Sequence, residues 1–209
     1  MKGCFATCRT PFAIALLIAG LVQASAVAPG LAQEVHLSGF LDISFGSTRA
    51  EAQDAMLRHE GVMLDPIGSD ENNLIFDGGT FAGLAAGFWV LGFVDDQMHT
   101  AKTILRPSED HLLATYEKLL ALFRATYGKP ARQAAFFDDP YEKGDGFESY
   151  AISFGKGHFT ALWTFSDGKN ENAISISIDK DLYIPIVFQS GRLIDLALSR
   201  KHQATTTGP

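Results

Sequence analysis

Residues 150–178, YAISFGKGHFTALWTFSDGKNENAISISI, contain the pattern that decides the fold. Apolar side chains alternate with small or polar ones over residues 150–154, 159–165 and 174–178. Two glycine-containing segments separate these runs and predict hairpin turns. Because each run has one apolar and one polar side, the pattern predicts three strands of an antiparallel sheet with one face in solvent.

Two main helices are predicted to cover the apolar face of this sheet. The segment Thr48-Arg49-Ala50-Glu51 has the form of a capping box, and the helix that it starts should reach about His59. Pro107-Ser108-Glu109-Asp110 starts a second helix, which Gly128 and Pro130 end. Apolar residues recur at helical spacing between these signals: Leu112, Tyr116, Leu119, Leu120, Phe123 and Tyr127.

The remaining apolar runs predict further strands around these helices. They are residues 40–45, 74–76, 81–94 (as one or two strands), 98–105, 132–137 and 182–188. Pro185 favours an edge position for the last of them, because proline cannot donate to a ladder. Residues 192–201 predict a short final helix. The order indicates an α+β fold, one antiparallel sheet with two main helices on one face, and suggests two helix-plus-meander halves that share the sheet.

The N-terminal residues have the features of a cleavable export signal. Lys2 and Arg9 precede an apolar segment, residues 12–22, which is too short for a bilayer that needs about 20 residues. Cleavage sites are predicted after Ala26 or after Ala32, and the helix-breaking Pro29-Gly30 favours the second. We therefore expect a signal peptide (1–32), a single α+β domain (33–203) and a disordered tail (204–209), in a periplasmic or secreted protein.

The cysteines and the charge narrow the function further. Cys4 and Cys8 both precede the apolar segment, so the processed chain would contain no disulfide and no thiol nucleophile. The net charge is −7, and the lysines and arginines form no stripe. Because nucleic acids and anionic lipids attract clustered basic residues, neither is an expected partner. No membrane span is expected after signal cleavage.

No catalytic or cofactor motif is present in the sequence. No two histidines have the i, i+3 or i, i+4 spacing of a zinc-binding helix, and there is neither a G-x-S-x-G nucleophile elbow nor a phosphate-binding glycine loop. The sequence therefore predicts no catalytic residues, no metal and no cofactor.

Two groups of polar residues are nevertheless weak candidates for a ligand site. Asp95 and Asp96 precede His99, an acid–base combination. A second group of acids shares one loop, where a solvated hairpin loop is the alternative interpretation: Asp138, Asp139, Glu142 and Asp145.

Short motifs in the chain resemble those of known exported domains. Phe45-Gly46-Ser47-Thr48-Arg49-Ala50-Glu51-Ala52 resembles the G-x-T-x-x-E-V opening of small periplasmic domains such as the outer-membrane assembly lipoprotein BamE, and Tyr127-Gly128-Lys129-Pro130 resembles the G-x-P that closes their helices. The related β-lactamase-inhibitor-protein architecture pairs two such helix-and-meander units. The F-G-x-[ST] opening is also typical of exported bacterial proteins of unknown function. The resemblance implies a non-enzymatic module that binds proteins through its sheet face or loops. The lipid-anchor cysteine of these lipoproteins has no counterpart here.

These observations favour an exported, non-enzymatic binding or protein-interaction module. A partner could contact the polar sheet face that carries Thr160, Thr164, Ser175 and Ser177. The alternatives are a small hydrolase that uses dispersed carboxylates with His99, and a carrier of a small lipophilic ligand, which the apolar residues 81–94 would bind.

Overall fold

The computed structural model describes residues 36–168 and 170–206. The strands are β1 (Gly39–Phe40), β2 (Ile43–Ser44), β3 (Val62–Asp65), β4 (Asn73–Gly78), β5 (Thr80–Phe81), β6 (Leu84–Val94), β7 (Gln97–Leu105), β8 (Arg132–Phe137), β9 (Gly157–Asp167), β10 (Asn170–Ser177) and β11 (Ile184–Gln189). The helices are α1 (Arg49–Met56), α2 (Leu112–Tyr127), α3 (Glu148–Ser153) and α4 (Gly191–Thr206). The predicted signal peptide lies outside the described residues.

Nine of these strands form one sheet. It is antiparallel, as the sequence predicted. The strand order is β3-β4-β6-β7-β11-β10-β9-β8, and β5 pairs with β6 at its start. In each half of the chain, the first strand of the sheet lies at an outer edge and later strands lie progressively nearer its centre. The last strands of the two halves, β7 and β11, pair with each other there. The sheet is therefore shared by two halves that each begin with a helix, which confirms the predicted α+β architecture.

The two main helices pack on one face of this sheet. Met56 of α1 and Tyr116 of α2 are almost fully buried and belong to the same hydrophobic cluster. Trp89 of β6 and Trp163 of β9 contribute the largest side chains of that cluster. The cluster contains residues from both halves, so the domain has one continuous core.

The start of α1 and the end of α2 follow the predicted signals. The helix α1 ends at Met56 rather than near His59, and α2 begins only at Leu112, because residues 109–111 form a 3-10 turn and Ser108 makes no side-chain cap. The Thr48 hydroxyl accepts from the Glu51 N–H, and the Glu51 carboxylate accepts from the Thr48 N–H, so the capping box is complete. The hydrogen bond from the Thr48 N–H lowers the pKa of Glu51. At the other end of α2, Gly128 has a φ of 79° and ends the helix.

The final helix covers part of the second face of the sheet, the whole of which the sequence had predicted to lie in solvent. Its Leu193 is fully buried but lies outside the cluster that contains α1 and α2, and α4 packs against β6, β7 and β10. The helix continues past Lys201 because no glycine or proline interrupts residues 192–207. The predicted tail from residue 204 therefore overlaps the helix, and residues 207–209 lie outside the described part.

Three sequence predictions about single elements are wrong. Residues 150–154 are not a strand, because α3 occupies this position. The segment 40–45 is a two-strand hairpin, in which Leu41 has a φ of 51°. The strand that contains Pro185 is central: Pro185 pairs with Ile104 of β7, whereas the β10–β11 pairing stops at Ile186. Proline is tolerated there because it lies beyond the end of one neighbouring ladder.

Candidate functional site

The acidic pair Asp95 and Asp96 forms the tight turn between β6 and β7. Both residues have positive φ values, 47° and 56°. Asp95 accepts two hydrogen bonds from Arg200 of α4, the shorter of 2.7 Å. Asp96 accepts from the Arg49 N–H at the start of α1, at 3.0 Å. These carboxylates connect the turn to a helix on each face of the sheet.

His99 lies near this turn, but it pairs with neither acid. Its Nδ1 is 2.9 Å from the Thr100 hydroxyl, and no described carboxylate forms an ion pair with it. A Cβ atom added at Gly92 would come within 3.1 Å of the imidazole ring, so the ring lies close against that glycine. Burial lowers the pKa of His99. Among the described residues, His99 therefore does not form the acid–base pair with Asp95 or Asp96 that the sequence suggested.

The lowered pKa of His99 predicts a pH dependence of stability. The unfolded chain binds a proton at His99 as the pH falls below the ordinary value of 6.5, whereas the folded chain resists protonation. The contribution of His99 is therefore complete above pH 6.5 and is lost as the pH falls. When the pH is lowered from about one unit above this value to about one unit below it, the wild type should lose stability. We expect His99→Gln to lose less over the same pH range. Urea unfolding of both proteins at the two pH values measures this difference, and equal losses would contradict the assignment.

The second predicted group lies in the loop between β8 and α3. Asp138 is hydrogen-bonded to the His158 Nε2 at 3.2 Å and lies 3.7 Å from the Lys156 ammonium. The hydrogen bond from His158 lowers the pKa of the Asp138 carboxyl. Asp145 accepts from the N–H groups of Glu142 and Phe147, at 2.9 and 2.7 Å. These two carboxylates thus shape the loop.

The four loop acids do not converge on a metal site. Asp139, which precedes a cis peptide bond to Pro140, is exposed, as is Glu142. Within residues 36–168 and 170–206, no group of three or more histidine, cysteine or acidic side chains is placed to hold a metal ion.

The same loop and α3 present a surface that the sequence did not predict. Phe147, Tyr150 and Phe154 are 60%, 51% and 65% exposed. The rings of Tyr150 and Phe154 stack with centroids 4.4 Å apart, and Tyr141 lies 6.1 Å from Tyr150. We call these four residues the aromatic patch. A groove of about 540 Å³ is lined by three of them, Tyr141, Phe147 and Tyr150, and by Pro140 and Asp145.

The local sequence explains why this patch faces outward. Phe147, Tyr150 and Phe154 are spaced i, i+3 and i+7, so they share one side of a helix. Ala151 and Ile152 take the other side and are buried. The position of Phe147 would have predicted the helix. The spacing of Tyr150 and Phe154 fits both a strand and a helix, whereas Phe147 shares a face with them only in a helix.

The sheet face that was predicted as a partner surface lies beside β8. Thr160 and Thr164 of β9 are exposed, and Ser175 and Ser177 of β10 are partly buried. Thr160 pairs with Ser177, so their side chains share one face. The structure brings these predicted residues together as one polar strip on β9 and β10.

Comparison with protein-family models, with curated protein sequences and with solved structures gave no significant match. Among the described helices, none combines the length and the apolar character needed to cross a bilayer.

Proposed function

We propose that the protein acts outside the cytoplasm as a non-enzymatic protein-binding module and that the aromatic patch is its contact surface. The observation that carries this proposal is the exposure of three large aromatic rings, one in α3 and one at each of its ends. A folded chain normally buries such rings, because each contributes a large apolar area. Their exposure as a contiguous group is typical of an interaction site.

The composition of the patch favours a protein partner. Aromatic side chains are enriched in protein–protein interfaces and supply most of the energetically dominant contacts. The rings of Tyr150 and Phe154 are already stacked, so they lose little side-chain freedom on binding. The Tyr141 and Tyr150 hydroxyls add polar contacts at the rim.

The charges around the patch define the chemistry of the partner. Five carboxylates and one lysine lie between residues 138 and 148, and Lys143 is paired with Glu117 of α2 at 3.5 Å. The loop side of the patch is therefore acidic, whereas Lys180 approaches Gly155 at the Phe154 end. A partner surface with apolar side chains flanked by lysine or arginine would be complementary.

The export signal and the motif resemblance support the proposed location. The apolar residues 12–22, preceded by Lys2 and Arg9, have the order of a signal peptide. Mass spectrometry of the protein from the extracytoplasmic fraction tests this part. We expect a chain that begins at Val27 or Gln33, and a cytosolic protein of full-length mass would contradict export.

The contact surface is tested with a double variant of the patch. We expect Tyr150→Ala/Phe154→Ala to weaken partner binding at least about 30-fold, the cost of two dominant interface rings. Affinity purification of the tagged protein from the extracytoplasmic fraction, followed by titration of the recovered partner, measures the loss.

Ile67→Ala is the matched control, because Ile67 is an apolar residue that is 95% exposed in the loop between β3 and β4. It should leave binding unchanged. Urea unfolding must show that all three proteins are equally stable. A double variant that binds the partner as well as Ile67→Ala would exclude the aromatic patch as the contact surface.

A further inference from the structure

The strand β8 is an edge of the sheet that is open along its whole length. It pairs with β9 and, among the described residues, with no other strand. The opposite edge strand, β3, has four residues, whereas β8 has six. The sequence of β8, RQAAFF, has no proline, and its last four residues carry no charge. Such an edge is a template for a further strand.

The hydrogen bonds of β8 show which of its backbone groups are free. The Asp138 N–H donates to the Lys156 carbonyl at 2.7 Å, in register with the β8–β9 pairing. Because backbone groups alternate in direction along a strand, the N–H and C=O groups of residues 132, 134 and 136 are directed towards β9. The N–H and C=O groups of residues 133, 135 and 137 are directed away from β9, beyond the edge of the sheet. No described group forms a hydrogen bond with them.

We propose that a second copy of this chain pairs with β8, antiparallel and about a two-fold axis that passes beside Ala135. In this register Ala135 lies opposite Ala135 of the partner subunit, and Gln133 lies opposite Phe137 of the partner subunit. All three outward-pointing residues of each strand then form ladder hydrogen bonds. The interface is isologous, as in most homodimers, and this inference does not rest on the proposed function.

The side chains of the strand are complementary to themselves in this register. Arg132 comes opposite Asp138 of the partner subunit at both ends of the pair, on the face away from α2. Arg132 would there join the contacts that Asp138 already makes with His158 and Lys156 of its own chain. Arg132 forms no ion pair with any described residue. Phe136, 52% exposed beside His158, comes opposite Ala134 of the partner subunit and would be covered. A shift by one residue would move every side chain to the wrong face.

The loop that follows β8 lies beside the end of the strand without bonding to its outward-facing backbone. A gap of about 240 Å³ separates the strand end, at Ala135 and Phe137, from Tyr141 and Lys143 of the loop. Ala135 itself is exposed. A strand pair of this length buries less than the area of a standard interface, about 1,600 Å². We therefore expect a dimer that dissociates in the micromolar range.

Opposite charge changes in two separate chains test the register. In the Arg132→Glu homodimer, a glutamate would face Asp138 of the partner subunit at both ends of the strand pair. In the Asp138→Arg homodimer, two arginines would face each other at both ends. Each variant alone should dissociate at least about tenfold more readily than the wild type. A mixture of the two variants restores both ion pairs and should form a heterodimer. Sedimentation velocity at several concentrations measures each state.

Ala135→Pro supplies a second, independent test. Its missing N–H points outward, so the β8–β9 ladder and the thermal stability should be retained while the dimer is lost. Ala134→Pro is the matched control, because the N–H that it removes points to β9 and its loss should lower stability. A monomeric wild type at millimolar concentration, an assembly larger than a dimer, or charge variants that do not associate on mixing would overturn the proposal.

Discussion

Replacing Trp163 by alanine should destabilise the domain by about 3–5 kcal/mol, the usual cost of deleting a large buried aromatic side chain. Trp163 is 2% exposed and packs against Phe123 of α2, with ring centroids 5.7 Å apart. Its indole N–H donates to the Gly128 carbonyl at 2.9 Å. The side chain thus joins the second half of the sheet to the end of its helix. Urea unfolding followed by circular dichroism measures the loss.

Two further variants separate the components of this effect. Trp163→Phe keeps most of the apolar volume and removes the hydrogen bond to the Gly128 carbonyl, so we expect a loss nearer to about 1–2 kcal/mol. Phe154→Ala deletes an aromatic side chain of the aromatic patch that is 65% exposed, and it should change stability by less than about 0.5 kcal/mol. A Trp163→Ala protein as stable as Phe154→Ala would mean that the core does not depend on this residue.

The elements that the sequence predicted correctly are those whose signals are local. The capping box at Thr48 and the glycine at position 128 each act through their own backbone and a residue within four positions. The strands β9 and β10 alternate over enough residues to define their faces. In these segments, propensity, periodicity and end signals all favour the same structure, and tertiary packing favours it too.

The errors occurred where a short pattern fits two structures. Tyr150, Ile152 and Phe154 suit a strand by their spacing of two, whereas Tyr150 and Phe154 suit a helix by their spacing of four. The outcome depended on Ile152, which enters the core beside Gly157 and Phe137 once the helix forms. Likewise, the central position of Pro185 depends on where the β10 ladder ends, a contact between distant segments.

The candidate site could be predicted only in part, for the same physical reason. The crowding of acids at residues 138–145 was evident in the sequence, but their roles depend on partners elsewhere. Asp138 is paired with His158, twenty positions further along the chain, and Asp95 with Arg200 of the last helix. The exposed aromatic patch was not predicted because Tyr150 and Phe154 had been assigned to the apolar face of a strand.

Gly78→Ala should lower stability by about 2–3 kcal/mol, through backbone geometry rather than lost packing. Gly78 ends β4 with a φ of 78°, in the left-handed region that costs other residues about 1–2 kcal/mol. A Cβ atom there would lie 2.2 Å from the Gly61 carbonyl oxygen, so the β3–β4 pair would have to separate. The same residue's carbonyl accepts the indole N–H of Trp89 at 2.8 Å, so a displacement would reach the core.

Gly83→Ala separates the two causes, because Gly83 has a similar φ of 74° but no atom within 4 Å of the added Cβ. It should lose only the conformational part, about 1 kcal/mol. Urea unfolding of the two variants under the same conditions gives the difference, and the excess in Gly78→Ala is the cost of the clash with Gly61. Equal losses would show that β3 moves aside without resistance and that this short edge strand contributes little to the stability of the sheet.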